Sequence, residues 1–82
     1  MSSRLYLLLE TVNGHSEEVA QVIRLNPGVV TVDLVEGKPD VIAVMEAGDR
    51  QTLAQLLMQV ISCVENTTED ARILPTREDS IC

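Results

Sequence analysis

The chain has 82 residues, enough for one small domain, and its 45% content of hydrophobic residues is that of a globular protein. Thirteen acidic residues against six basic ones give a formal net charge of −7, and a tyrosine is the single aromatic residue. The basic residues are scattered and cannot neutralise a run of phosphates, and the chain has no group of aromatic residues on which nucleobases could stack. We therefore expect no direct binding to nucleic acid or to an anionic membrane.

The apolar runs of the sequence are short. The longest one near the N-terminus is residues 5–9, which is too short to span a bilayer and lacks the basic start and cleavage site of a signal peptide. Cys63 and Cys82 are too few for a disulfide framework. We therefore expect a cytoplasmic protein, with Cys63 as a buried thiol near the end of a helix.

The first half of the chain predicts a strand, a helix and a second strand. Residues 4–12 read RLYLLLETV and are typical of a strand. Ser16 is a suitable N-cap for a helix with apolar residues at helical spacing. That helix should end near Leu25, because the residue before Pro27 is disfavoured in helical conformation. Residues 29–35 are rich in valine and predict the second strand.

The second half repeats this order. The turn-forming residues 37–40 separate the second strand from a third at residues 41–46. Asp49 is the expected N-cap of a second helix, and a final strand is expected between Thr67 and Leu74. The buried face of the second helix is predicted from apolar residues at i, i+3, i+4, i+7 and i+8, namely Leu53, Leu56, Leu57, Val60 and Ile61.

The order strand, helix, strand, strand, helix, strand is that of a ferredoxin-like α+β fold. Right-handed crossovers place both helices on one face of a four-stranded antiparallel sheet. We expect residues 1–75 to form this single domain and residues 76–82 to be a disordered polar tail. Met45 and Met58 are expected to fill gaps in the core.

The strand sequences LYLLL and VIAVM are apolar on both faces, so a sheet covered by helices on one face would leave an apolar surface on the other. Monomers rarely expose such a surface. An identical sheet is the simplest cover, which predicts a two-fold homodimer. The alternatives are contact with a different protein along the sheet edge, or partial cover by the C-terminal tail.

Four features in a fixed order then point to a family. PGV stands at residues 27–29, EGKPDVIAVME at 36–46, a D-x-x-x-L helix start at 49–53 and V-x-x-T at 64–67. Together they resemble the effector-binding domain of the Lrp/AsnC family of bacterial and archaeal transcription regulators, over residues 5–74. The resemblance implies a ferredoxin-like fold, dimers that pair sheet to sheet, and rings of dimers. A DNA-binding helix-turn-helix precedes this domain in the family, whereas this chain begins at the first strand, so we expect a stand-alone version.

The resemblance also implies a ligand site. The family places its ligand, usually an amino acid, at a contact between dimers that includes a G-x-x-D hairpin. An exposed glycine turn can hold a carboxylate through its backbone N–H groups, and an aspartate can hold an ammonium group. Pro39 and Val41 stand where the family usually has aromatic residues. The ligand-binding residues implied for this chain are Gly37, Lys38, Pro39, Asp40, Arg50, Thr67 and Thr68.

Three functions follow from these observations. The first is a stand-alone regulatory domain that oligomerises, binds a small effector, in the first place an amino acid, and modulates full-length regulators of the same family. The second is a structural or interaction subunit without a ligand. The third is a small dimeric ferredoxin-like enzyme, whose pocket would need polar and aromatic residues beyond Tyr6 and His15. His15 and Cys63 lack partners for catalysis or metal binding, so we expect no enzyme activity, no cofactor and no metal. An ACT-type regulatory domain is a near relative of the first hypothesis.

Overall fold

The first strand lies at the centre of the fold. In the computed structural model, which describes residues 2–76, a four-stranded antiparallel sheet has the order β2-β3-β1-β4. The elements are β1 (Ser3–Thr11), α1 (Ser16–Arg24), β2 (Val29–Leu34), β3 (Val41–Ala47), α2 (Arg50–Val64), a 3₁₀ turn (Glu65–Thr67) and β4 (Thr68–Pro75). The ferredoxin-like order of elements and the four-stranded sheet are therefore confirmed.

Alternation along β1 and β3 decides which side chains enter the core. Leu5 lies opposite Met45 and Leu7 opposite Ala43, and all four are buried beneath the helices. Successive strand residues point to opposite faces, so the residues between them reach the other side of the sheet. Both helices add apolar residues to the same core, namely Val19, Ala20 and Ile23 from α1 and Leu53, Leu57, Val60 and Val64 from α2.

The two helix starts differ from each other. Asp49 caps α2 as predicted, because its Oδ1 accepts a hydrogen bond of 2.7 Å from the backbone N–H of Thr52. The prediction of Ser16 as the N-cap of α1 is wrong by one residue. His15 is the N-cap residue, because its carbonyl accepts the first helical bond, from Val19 N–H at 2.9 Å. Its side chain makes no capping hydrogen bond.

Two predictions of burial on α2 are wrong. Cys63 is exposed, and the side chain of Met58 is 64% exposed. The buried stripe is filled by Leu53, Leu57, Val60 and Val64. Met58 follows Leu57 and is therefore about 100° further round the helix, on the solvent side. Met45, by contrast, is fully buried as predicted.

The PGV turn brings the backbone of Gly28 close to α2. Gly28 has φ +86°, and its carbonyl accepts a 2.8 Å hydrogen bond from the Glu46 N–H. A Cβ at this position would lie 2.6 Å from Leu56 Cδ1. Glycine is therefore required here both for the left-handed conformation and for the space.

Thr76 follows β4 and donates from its backbone N–H to the carbonyl of Arg4 at 3.2 Å. The rest of the predicted tail, residues 77–82, lies outside the described residues. None of the helices in residues 2–76 is long and apolar enough to cross a membrane.

Candidate functional site

The hairpin between β2 and β3 folds back onto the end of β1. Val35 N–H donates to the Asp40 carbonyl at 2.9 Å, and Asp40 N–H donates to the Leu9 carbonyl at 3.0 Å. Gly37 has φ +96° and open space around it. The turn is therefore anchored at its base while its tip stays accessible.

The carboxylate of Asp40 forms the anchor. Its Oδ1 accepts from the backbone N–H of Thr11 at 2.9 Å and its Oδ2 from the Thr11 hydroxyl at 2.5 Å. Burial raises the pKa of Asp40, but the two hydrogen bonds from Thr11, together with its own N–H and the charge of Lys38, outweigh burial and hold this pKa below the ordinary value. Asp40 thus stays ionised while it ties the hairpin to β1.

Lys38 reaches the same point from the tip of the hairpin. Its Nζ donates to the Thr11 carbonyl at 3.1 Å. Beside it, on the face of the sheet away from the helices, lies a cleft of about 70 Å³ lined by Leu8, Glu10, Lys38, Pro39, Asp70 and Arg72. We call it the hairpin cleft. A water takes about 30 Å³ in the liquid, so the cleft has room for one end of a small molecule and not for all of it.

Charges of both signs meet at the hairpin cleft. Glu10 and Asp70 are directly opposite each other on β1 and β4, and Arg72 lies opposite Leu8. Like charges directly opposite across two strands are unfavourable unless a cation lies near them. Two carboxylates and two cations can hold the ammonium and the carboxylate of one zwitterion.

The two threonines of the predicted site lie on the other side of the β1 end. Thr67 accepts from Val12 N–H at 2.9 Å through its carbonyl, and Thr68 pairs with Thr11. Thr68 Oγ1 is buried and has no hydrogen-bond partner among residues 2–76. It lines an open cleft of about 240 Å³ between the end of α2 and β4, whose floor includes Leu9 and Ala71.

Most of the predicted site residues are therefore gathered around Thr11 and Val12, but Arg50 is not. Arg50 begins α2 and lines a cleft with Arg4 and Leu5. Leu5 and Thr11 are about 20 Å apart along the strand. Arg50 cannot contact the hairpin of its own chain.

Sequence reasoning missed Glu10, Asp70 and Arg72. Their meeting depends on the register between β1 and β4, which cannot be read from the sequence. Alternation along β1 places Glu10 on the face opposite to Leu9. Among the described residues 2–76, no group of three or more His, Cys, Asp or Glu side chains is arranged to hold a metal ion.

The sheet face that bears the hairpin cleft is apolar at its centre. Tyr6 lies opposite Val44 on β3 and Leu74 on β4, and Leu8 lies opposite Ile42. Neither helix covers these residues, and Leu74 is 51% exposed. The Arg4–Glu46 ion pair lies at one end of the patch. The prediction that β1 and β3 are apolar on both faces is confirmed, and the partner that covers this open face stays a prediction.

Comparison with known proteins shows the fold. No protein-family model matches the sequence, and no curated protein matches it. The solved structure of PH0061 superimposes with a TM-score of 0.80 at 15% identity, over 94% of this chain and 53% of that one. FFRP-DM1 gives a TM-score of 0.80 at 20% identity, over 90% of this chain and 97% of that one.

A third likeness is to the transcriptional regulator NMB0573 of Neisseria meningitidis, solved as a complex with L-Met. Its TM-score is 0.70 at 13% identity, over 90% of this chain and 49% of the regulator. This chain thus spans about half the length of PH0061 and of NMB0573. Lrp/AsnC proteins are among the structures that the chain resembles, so the predicted resemblance is confirmed as one of fold.

Proposed function

We propose that this chain is a regulatory domain that pairs through its open sheet face and binds an amino acid at the hairpin cleft. The observation that carries the ligand proposal is the meeting of Glu10, Asp70, Lys38 and Arg72 around one cleft. A zwitterion is the small molecule whose charges fit such a set, its ammonium at the two carboxylates and its carboxylate at the two cations. The L-Met complex of NMB0573 supports this choice of ligand class.

In this proposal Asp40 positions the hairpin and is not the main ligand group. Its two oxygens already accept hydrogen bonds from Thr11. The ligand carboxylate is held by Lys38 and Arg72, with the exposed backbone of Gly37 close by. Direct contact between Asp40 and a ligand stays a prediction.

The hairpin cleft encloses only about 70 Å³, so the remainder of an amino acid must be covered by another surface. A second dimer placed against the hairpin would supply it, and Arg50 of that neighbour could then take part although it cannot do so within one chain. The proposal therefore places the effector between dimers, where binding favours the larger assembly. The same sheet face could pair with full-length regulators of related fold, and such a regulatory domain would act in the cytoplasm.

Binding is tested by titration calorimetry and native mass spectrometry of the purified chain with each of the twenty amino acids. We expect at least one to bind and to shift the mass distribution towards larger assemblies. Arg72→Gln should weaken that binding by tenfold or more. Arg24→Gln, on the far side of the sheet, changes the charge equally and should leave binding unaltered.

A second candidate function, an interaction subunit without a ligand, is favoured by the uncovered patch of Tyr6, Val44 and Leu74. If no amino acid binds while the dimer forms, the effector proposal fails and this second function stands. Neither proposal assigns catalysis. His15 is paired with Glu18 on the helix surface at 3.2 Å, and the described clefts have apolar floors without a nucleophile beside a base.

A further inference from the structure

Beyond Arg50 at its start, the outer surface of α2 carries no charge. Between Gln51 and Val64 there is no Asp, Glu, Lys or Arg, although 23% of the whole chain is charged. The exposed residues of this stretch are all uncharged, namely Gln51, Thr52, Ala54, Gln55, Met58, Gln59, Ser62 and Cys63. Of these, Gln51, Gln55, Met58 and Ser62 are spaced as one stripe along the helix. Solvent-facing stripes of helices usually bear charged residues, so this stripe has the composition of a contact surface.

Two apolar side chains are exposed on this surface, one within the stripe and one beside it. Met58 is 64% exposed, and Leu25, which caps α1, is 85% exposed. Next to Leu25, an uncharged open groove runs between the turn after α1 and α2. Asn26 and Pro27 line one side of this helix-face groove, and Gln55, Met58, Gln59 and Ser62 line the other.

The chemistry of the groove fits a second copy of this chain. Copies with a net charge of −7 repel each other wherever their acids meet, and this surface has none. Glutamine amides both donate and accept hydrogen bonds, so a row of them can pair with an identical row. Interface centres are depleted of charge and enriched in methionine.

The geometry fits a two-fold axis as well. A two-fold contact joins the same patch of both copies, so a protrusion on one must meet a recess beside the same protrusion on the other. Leu25 is such a protrusion, and the helix-face groove begins at the next residue, Asn26.

We propose that the helix-face groove and Leu25 form a two-fold contact between copies of this chain, separate from the contact through the open sheet face. The helices and the open face lie on opposite sides of the sheet, so both contacts can form at once. An assembly that uses both grows beyond a dimer. This contact does not depend on effector binding at the hairpin cleft.

Analytical ultracentrifugation of variants separates the two contacts. We expect the wild-type chain to sediment as a species larger than a dimer. Leu25→Glu and Met58→Glu should each reduce it to the sheet-paired dimer, while Val44→Glu on the open face should leave a dimer formed through the helices. The combination of Leu25→Glu and Val44→Glu should be monomeric. Asn13→Glu, an exposed loop change of equal charge, is the control and should keep the wild-type mass.

Cross-linking gives a second readout that does not require loss of assembly. Cys63 lines the groove, and Cys82→Ser leaves it as the single thiol. A short bis-maleimide should then link two chains. The yield of cross-linked dimer should fall more than tenfold after Leu25→Glu and stay unchanged after Val44→Glu. The proposal is overturned if Leu25→Glu changes neither the mass nor the cross-link, or if Val44→Glu alone yields monomers. In that case a protein other than this chain becomes the candidate for the groove.

Discussion

At the scale of single residues, the pair of Thr11 and Asp40 decides how the hairpin is held. Thr11 is a buried polar residue at the end of β1, and both its hydroxyl and its N–H donate to one carboxylate. Hydrogen bonds to a charged acceptor contribute more than those between neutral groups. The family resemblance implied Asp40 as a ligand carboxylate. Its hydrogen bonds to Thr11, 29 residues earlier in the chain, cannot be recognised from the sequence without the sheet register.

Thr11→Val removes the hydroxyl and keeps the shape of the side chain. We expect the free energy of unfolding to fall by about 1–3 kcal/mol, since Asp40 loses its hydroxyl partner. Urea denaturation followed by circular dichroism measures this. Thr31→Val, on the exposed side of β2, is the matched control and should stay within about 0.5 kcal/mol of the wild type.

The lowered pKa of Asp40 makes the hairpin sensitive to acid. A carboxyl whose pKa is lower in the folded chain stabilises the fold fully above its unfolded pKa of about 3.9 and loses this effect as pH falls through the folded value. Stability measured by urea denaturation should therefore drop in that acidic range. Asp40→Asn should make the drop smaller, and an unchanged acid profile in that variant would contradict the assignment.

A comparison of Gly28 with Gly14 tests whether an added Cβ at Gly28 clashes with α2. Both have a left-handed φ, +86° and +85°, but only Gly28 has atoms close to the position of a Cβ, with Leu56 Cδ1 at 2.6 Å and Glu46 O at 3.2 Å. Gly14→Ala should cost about 1–2 kcal/mol for the conformation alone. Gly28→Ala should cost clearly more, because α2 must also move. Equal losses in thermal or urea unfolding would show that the close approach to Leu56 is unimportant.

At the scale of elements, helical periodicity predicted α2 well in one respect and poorly in another. The spacing of its leucines and valines identified the buried stripe, and Asp49 identified the start. The periodicity did not show which apolar residues of α2 are exposed to solvent. Met58 and Cys63 are exposed, although α2 has apolar residues around much of its circumference. Hydrophobicity alone cannot separate a core methionine from one on a contact surface.

Neighbouring positions on α2 test this division. Leu57→Ala removes a side chain packed in the core and should cost about 2–5 kcal/mol of unfolding free energy. Met58→Ala should change the stability of the isolated domain by no more than about 0.5 kcal/mol. Both changes are to be measured by urea denaturation at a protein concentration low enough to dissociate any assembly. A large loss for Met58→Ala under those conditions would show that its side chain packs within the chain.

At the scale of the whole molecule, the order of elements was enough to predict the layers of the fold. It was not enough to predict the hairpin cleft. The charges at the hairpin cleft come from β1, β4 and the hairpin, so they meet only when the complete sheet forms. Arg50 was implied as a site residue by the family resemblance, and within one chain it lies at the other end of the sheet. A shared site with the hairpin would therefore need Arg50 of a neighbouring dimer.

The proposed pairing through the open sheet face would make the stability of the chain depend on protein concentration. An assembly that forms only from folded chains raises the apparent melting temperature as protein concentration rises. We expect such a rise for the wild type and for the groove variant Leu25→Glu. Val44→Ser places a hydroxyl on the open face and should weaken sheet pairing. The melting temperature should then depend less on protein concentration. A melting temperature independent of concentration in both Leu25→Glu and wild type would contradict sheet pairing.

The central position of β1 has a consequence for synthesis of the protein. β1 is made first, yet its neighbours in the sheet are β3 and β4, and β4 is made last. During synthesis the apolar segment 5–9 can pair with β3 once about half of the domain has been translated. Its second edge is covered only once the last strand has emerged. The sheet of this domain can therefore be completed only after β4 has left the ribosome, and until then burial beneath the helices is what protects that segment from aggregation.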